Sequence, residues 1–177
     1  MENQMENQME KIEINKTMHL SEHITLGEVT KSRHAEIYNI PSHAAIENLK
    51  RVCAWLEELR RRYNLRYVLR SVSPPKLGGE IDTEEPIIIN SGYRSPELNK
   101  KVGGSPTSNH LTGCAVDIRV AGIEQALRYA VILMDYADET RQDYDEILIE
   151  KNRYGAIWLH FAVRPKDNRR KTMFLQV

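Results

Sequence analysis

An α+β fold is predicted, a single domain with helices packed on a small, mostly antiparallel sheet. Two features of the sequence lead there. Helical spacing of apolar residues comes early and in the middle, in "PSHAAIENLKRVCAWLEELRRRY" and "IEQALRYAVILMDYADE". Short strand-like runs, "DEILIE", "AIWLHFAV" and "TMFLQV", cluster near the C-terminus. The chain's 177 residues suffice for one domain of ordinary size with a real core.

Taken in order, the opening "MENQMENQMEKIEINK" is a polar tandem repeat that cannot bury a face, so residues 1–18 are expected to form a disordered tail and 19–177 the folded domain. "TLGE" places Thr25 as an N-cap with Glu28 three residues on, the capping-box pattern of a short helix. The clearest helix follows. Pro41 and Ser42 mark its start, and Ile46, Leu49, Cys53, Leu56 and Leu59 form one apolar stripe. "SVSPPKLGGEIDTEEP" is rich in Pro, Gly and acid and reads as a loop. "PIIINSG" (Pro86 to Gly92) reads as a buried strand ending at a glycine. "SPELNKKVGG" reads as a short helix with Ser95 as cap, Pro96 in the first turn and glycines ending it.

Composition excludes several functions. Lys+Arg and Asp+Glu both total 25, and a formal charge of zero argues against a nucleic-acid partner, which needs a net basic footprint. The cluster "RRRYNLRYVLR" suits a solvated helix C-terminus, where cations complement the dipole. Cys53 and Cys114 have no metal-ligand spacing, and two cysteines are too few for a disulfide framework. No run approaches a membrane span and no apolar signal region opens the chain. The expectation is synthesis in the cytoplasm without a signal peptide.

Chemistry concentrates in "SNHLTGCAVDIRV". Asp117 lies in an apolar strand-like run, where an unpaired carboxylate is costly. Strand alternation puts Asp117 on one face with Ala115 and Arg119, and turns Cys114 and Val116 away. Arg119 or another basic residue is one candidate partner, and a bound metal is the other. In "AIWLHFAV", Ile157, Leu159, Phe161 and Val163 make the core face, leaving His160 opposite with Trp158 and Ala162. In "DEILIE", Ile147 and Ile149 face the core, leaving Leu148 and Glu150 opposite. With "NRYG" as a hairpin turn, Glu150 and His160 share a face. His110, Asp117 and His160 together supply two imidazoles and a carboxylate, a sufficient ligand set for Zn²⁺ with an open position.

"SNHLTGCAVD" matches the Ser-x-His-x-x-Gly-x-Ala-x-Asp signature of the zinc D-alanyl-D-alanine peptidases at Ser108, His110, Gly113, Ala115 and Asp117. "SGYRSPELNKKVGG" resembles the segment before that signature, and "WLH" resembles the last ligand motif. The chain looks most like the short, single-domain carboxypeptidase members of phage or prophage type, and the likeness runs from about Ser21 to Val163. The resemblance implies zinc held by His110, Asp117 and His160, and hydrolysis of a D-alanine bond in peptidoglycan stem peptides. Arg94 would hold a substrate carboxylate or stabilise the oxyanion; its plainer role is a structural ion pair. Several relatives carry the catalytic acid three positions before the last histidine, where this chain has Ile157. Glu150 is the expected replacement. Ser108 and Tyr93 are candidates for substrate hydrogen bonds, and Trp158 for a cleft wall or for simple packing. The expected activity is that of a D,D-carboxypeptidase, with L-alanyl-D-glutamate endopeptidase as a variant. A catalytically inactive zinc-containing binding module is the alternative, because the Hedgehog signalling domain shares this zinc fold.

Overall fold

The computed structural model describes residues 15–68 and 84–177. The expectations for most of the N-terminal repeat and for nearly all of "SVSPPKLGGEIDTEEP" lie outside them. The ordered chain reaches back beyond His19, because the Lys16 carbonyl accepts from the Gly27 N–H (2.9 Å) and the Met18 carbonyl from the Leu26 N–H (2.8 Å).

Helix starts follow their local signals. Helix α1 (Leu26–Thr30) opens with the reciprocal capping box: the Thr25 hydroxyl accepts from the Glu28 N–H and the Glu28 carboxylate from the Thr25 N–H. Ser42 caps α2 (His43–Tyr63), and Ser95 caps α3 (Pro96–Lys101) with Pro96 in its first turn. Of the apolar stripe on α2, Leu49, Cys53, Leu56 and Leu59 are fully buried, and Ile46 packs at the margin of the core. Burial pushes the Cys53 thiol up to about 12, so it behaves as a small hydrophobe. The arginines ending α2 are all engaged in ion pairs: Arg60 with Glu84, Arg61 with Glu58, and Arg62 with Glu58 and Glu139. Helix α4 (Ile123–Thr140) packs beside α2, where Trp55 meets Tyr136 edge-on, ring centroids 4.8 Å apart. No helix among the described residues is long and apolar enough to cross a membrane.

The sheet comprises β1 (Ile89–Ser91), β2 (Ala115–Arg119), β3 (Glu146–Lys151), β4 (Ile157–Ala162) and β5 (Lys171–Gln176), in the order β1-β2-β4-β3-β5. Neighbouring strands are antiparallel except β3 and β5, which run parallel, so the sheet is mixed. The segment at 86–92 was expected to be a buried strand; only Ile89–Ser91 pairs. It is an edge strand with an irregular register between Ile89 and Ser91, and alternation in the extended backbone buries Ile87 and Ile89 while exposing Ile88.

Alternation sorts the two faces of the sheet. Val116, Ile118, Ile147, Ile149, Leu159 and Phe161 point into the core shared with α2 and α4. The other face carries Asp117, His160 and Glu150, which the helices leave uncovered. In register, Ser91, Asp117, His160 and Leu148 form one row across four strands.

Candidate metal centre

His110 comes from a 3₁₀ turn, Asn109–Thr112, that sequence chemistry builds. The Ser108 hydroxyl accepts from the His110 N–H (3.3 Å), and Gly113 ends the turn in the left-handed region at φ 72°. A Cβ on Gly113 would also lie 2.4 Å from the Ala45 carbonyl oxygen, so glycine lets the turn dock on α2. Asn48 of α2 donates to the Thr112 carbonyl and fixes the same contact (2.9 Å).

Asp117 faces His160 directly across β2 and β4. Its Oδ1 lies 3.0 Å from His160 Nδ1 and 3.3 Å from His110 Nε2, while Oδ2 accepts from the Arg94 guanidinium. These three residues form the buried His/Asp/His group among the described residues whose ligand atoms all lie within 4.8 Å of one another. The charge on Asp117 is therefore compensated by Arg94 and by His160, not by Arg119, which reaches Asn90 instead. Burial opposes ionisation of Asp117, but the hydrogen-bonding groups around it outweigh that and hold the carboxyl well below the usual range.

The tautomer of His110 decides whether a cation fits. The Gly92 carbonyl can only accept, so His110 Nδ1–H donates to it at 2.6 Å. Burial lowers the His110 pKa, which favours the neutral ring and leaves Nε2 as a bare lone pair beside a carboxylate oxygen. Two lone pairs facing each other in a buried site repel unless a cation lies between them. A borderline cation such as Zn²⁺ suits this N,O,N set, with the Gly92 carbonyl orienting the first imidazole.

His160 is held between two carboxylates, with Nδ1 toward Asp117 and Nε2 3.4 Å from Glu146 Oε2. Burial works against its protonation, yet the hydrogen bonds to Asp117 and Glu146 raise its pKa to about 9. Glu146 in turn is lowered to about 2, chiefly by His160. Asn109 donates to Glu146 (3.0 Å) and to Asp145 (2.7 Å), and Arg169 pairs with both acids. Sequence reasoning missed Glu146. The signal was present, since it sits four residues before Glu150 and alternation puts both on the open face of β3.

Glu150 lines the same cavity, of about 680 Å³, as Arg94, His110, Asp117 and His160. Burial raises its pKa, and Trp158 stands directly opposite it across β3 and β4. Trp158 thus lines the cavity beside Glu150. Ser108 lines it too, with its hydroxyl engaged in capping the His110 turn. Tyr93 departs from expectation: its side chain belongs to the hydrophobic core. Only its backbone is engaged nearby, with its N–H donating to the Val29 carbonyl (2.7 Å) and its carbonyl accepting from Asn39 (3.0 Å). Arg94, the next residue, turns toward the site, donating from Nε to the Ser91 hydroxyl (2.9 Å).

Residues 78–144 match the family described as Peptidase M15. The matched stretch contains Arg94, Ser108, His110 and Asp117 and ends before β3, so His160, Glu146 and Glu150 join the site through the fold alone. No curated protein matches the chain.

Proposed function

We propose, from the premise that the chain belongs through residues 78–144 to the M15 peptidase family, that it is a zinc-dependent peptidase of peptidoglycan stem peptides. The bond cut is the terminal D-alanyl-D-alanine bond, making the protein a D,D-carboxypeptidase. The observation that carries this reading is the convergence of three kinds of group in one cavity: the His110, Asp117 and His160 ligand set, a carboxyl whose pKa burial raises, and a guanidinium with unused donors.

Held by His110, Asp117 and His160, zinc would supply a Lewis acid that polarises the scissile carbonyl and makes water acidic enough to attack at neutral pH. Glu150 takes the proton of the attacking water and passes it to the leaving amine. Its raised pKa suits both halves of that exchange, because a base nearer neutrality also returns its proton more readily. Glu150 sits on the open face of the sheet, opposite Trp158 across the hairpin. Arg94 commits Nε to Ser91 and one Nη2 hydrogen to Asp117. Its remaining donors bind the substrate carboxylate or the charge that develops on the carbonyl oxygen. Glu146 and the Gly92 carbonyl orient the two imidazoles.

The test is mass spectrometry of a stem pentapeptide and of cross-linked muropeptides after incubation with zinc-loaded protein, with Glu150→Gln alongside. Loss of one terminal alanine by the wild type, and a drop of about 10²-fold or more in Glu150→Gln with zinc retained, is the expected result. Splitting of cross-linked or L-alanyl-D-glutamate material would make the protein an endopeptidase. Intact substrates throughout, with zinc bound, would make it a binding module.

A further inference from the structure

Beyond Arg94 lies a second cavity, of about 480 Å³, that the chemistry above does not use. Its walls carry Lys31, Arg33, His34, Asn90 and Arg119, with Arg94 shared between the two cavities. No aspartate or glutamate among the described residues lines it. Among the described residues, no carboxylate lies within ion-pair distance of Lys31, Arg33 or Arg119, although the chain as a whole is charge-balanced. His34 pairs with Glu36 and Arg94 with Asp117, but Lys31, Arg33 and Arg119, concentrated here and left uncompensated, raise the local potential and favour an anion.

The cavity is built by the fold. Asn39 donates to the Thr30 carbonyl (2.9 Å) and the Tyr93 carbonyl (3.0 Å), and its Oδ1 accepts from the Ser95 N–H (2.7 Å). One amide therefore ties the segment leading into Lys31–His34 to the segment bearing Arg94. The Val29 carbonyl and Tyr93 N–H add a second tie across the same seam.

We propose that this basic cavity binds a second carboxylate of the substrate, distinct from its C-terminal one, so that the preferred substrate is a peptide with a free side-chain or α-carboxylate upstream of the bond cut. Rigid guanidinium forks on Arg33 and Arg119 match a carboxylate in a way lone lysines do not. A volume of about 480 Å³ accommodates one residue with its hydration, smaller than the catalytic cavity it adjoins. This inference rests on the peptidase reading for the identity of the ligand, while the anion site stands on the cavity itself.

The experiment pairs two lysine-containing stem pentapeptides, one with the D-glutamyl α-carboxylate free and one with it amidated. It also uses glutarate as a small dicarboxylate probe followed by backbone NMR. Glutarate is expected to shift the Ser32, His34 and Asn90 amides saturably in the zinc-loaded wild type, and far less in the double variant Lys31→Ala/Arg33→Ala. The wild type is expected to show a KM about tenfold lower for the acid peptide than for the amide, a ratio falling to about twofold in the double variant. Absence of a saturable shift in the wild type overturns the anion site whatever cleavage shows. A saturable shift with equal KM for the two peptides overturns the substrate assignment and leaves the peptidase intact. A saturable shift with neither peptide cut supports the anion site and overturns the peptidase reading.

Discussion

Replacing Gly92 by alanine would strike the fold and the metal centre together. Gly92 follows β1, and an added Cβ would meet the Val29 backbone at 2.3 Å from its oxygen and 2.9 Å from its carbonyl carbon and Cα. All three atoms are main chain, so no side chain can swing aside, and the two segments must part by roughly 1 Å. That movement breaks the Tyr93 N–H to Val29 carbonyl bond and displaces the Gly92 carbonyl that holds His110 Nδ1. An orphaned buried hydrogen-bonding pair plus local overpacking costs about 2–4 kcal/mol. For a chain of this size that lowers Tm by about 5–15 °C. Loss of the orienting carbonyl should weaken zinc binding by about tenfold or more. Calorimetric melts of the metal-free protein give the first quantity, and chelator competition for zinc gives the second. A variant melting within about 2 °C of the wild type, with zinc affinity unchanged, would refute the reasoning.

Glu146→Gln removes the charge that faces His160 Nε2 but keeps the shape; zinc affinity measured by chelator competition should fall by about tenfold, and the metal-free protein should melt lower, because that charge also pairs with His160 and Arg169. Arg94→Ala should reduce kcat/KM by about 10²-fold or more while zinc content stays stoichiometric; equal activity would leave Arg94 as a structural partner of Asp117 only. In the metal-free protein His160 has its pKa raised to about 9 from 6.5, so its protonated ring contributes stability fully present below pH 6.5 and lost as pH rises through about 9. Zinc must displace that proton. Its apparent affinity should therefore climb with pH and level off near pH 9, and a flat profile over pH 6–9 would contradict the raised pKa.

Much of the site was legible in sequence because strand alternation has a strict period. Once Val116, Ile118, Leu159 and Phe161 are assigned to a core, Asp117 and His160 have only the other face to occupy, and Glu150 follows through the hairpin. Helix starts were legible for a similar reason: Thr25 with Glu28, Ser42, and Ser95 with Pro96 satisfy backbone groups within a few residues of themselves. The signature around His110 also announced its own turn, since Ser108 caps it and Gly113 ends it.

What alternation cannot specify is which groups meet across the fold. Sequence alone offered Arg119 as a partner of Asp117; the edge pairing of β1 with β2 brought Arg94 there. The tautomer of His110 depends on the Gly92 carbonyl, and the orientation of His160 on Glu146, contacts made between segments far apart in the chain. Tyr93 sits next to Arg94 in a motif that reads as one unit, yet one side chain enters the core and the other the site. Lys31 to His34 carried no pattern at all, and became a wall beside Arg94 through the side chain of Asn39 and the Val29–Tyr93 backbone bond. The physical reason is the same in each case. Caps, turns and faces are set by bonds and alternation over a few residues, whereas the polarity of a buried site is set by whichever distant groups the packed core carries to it.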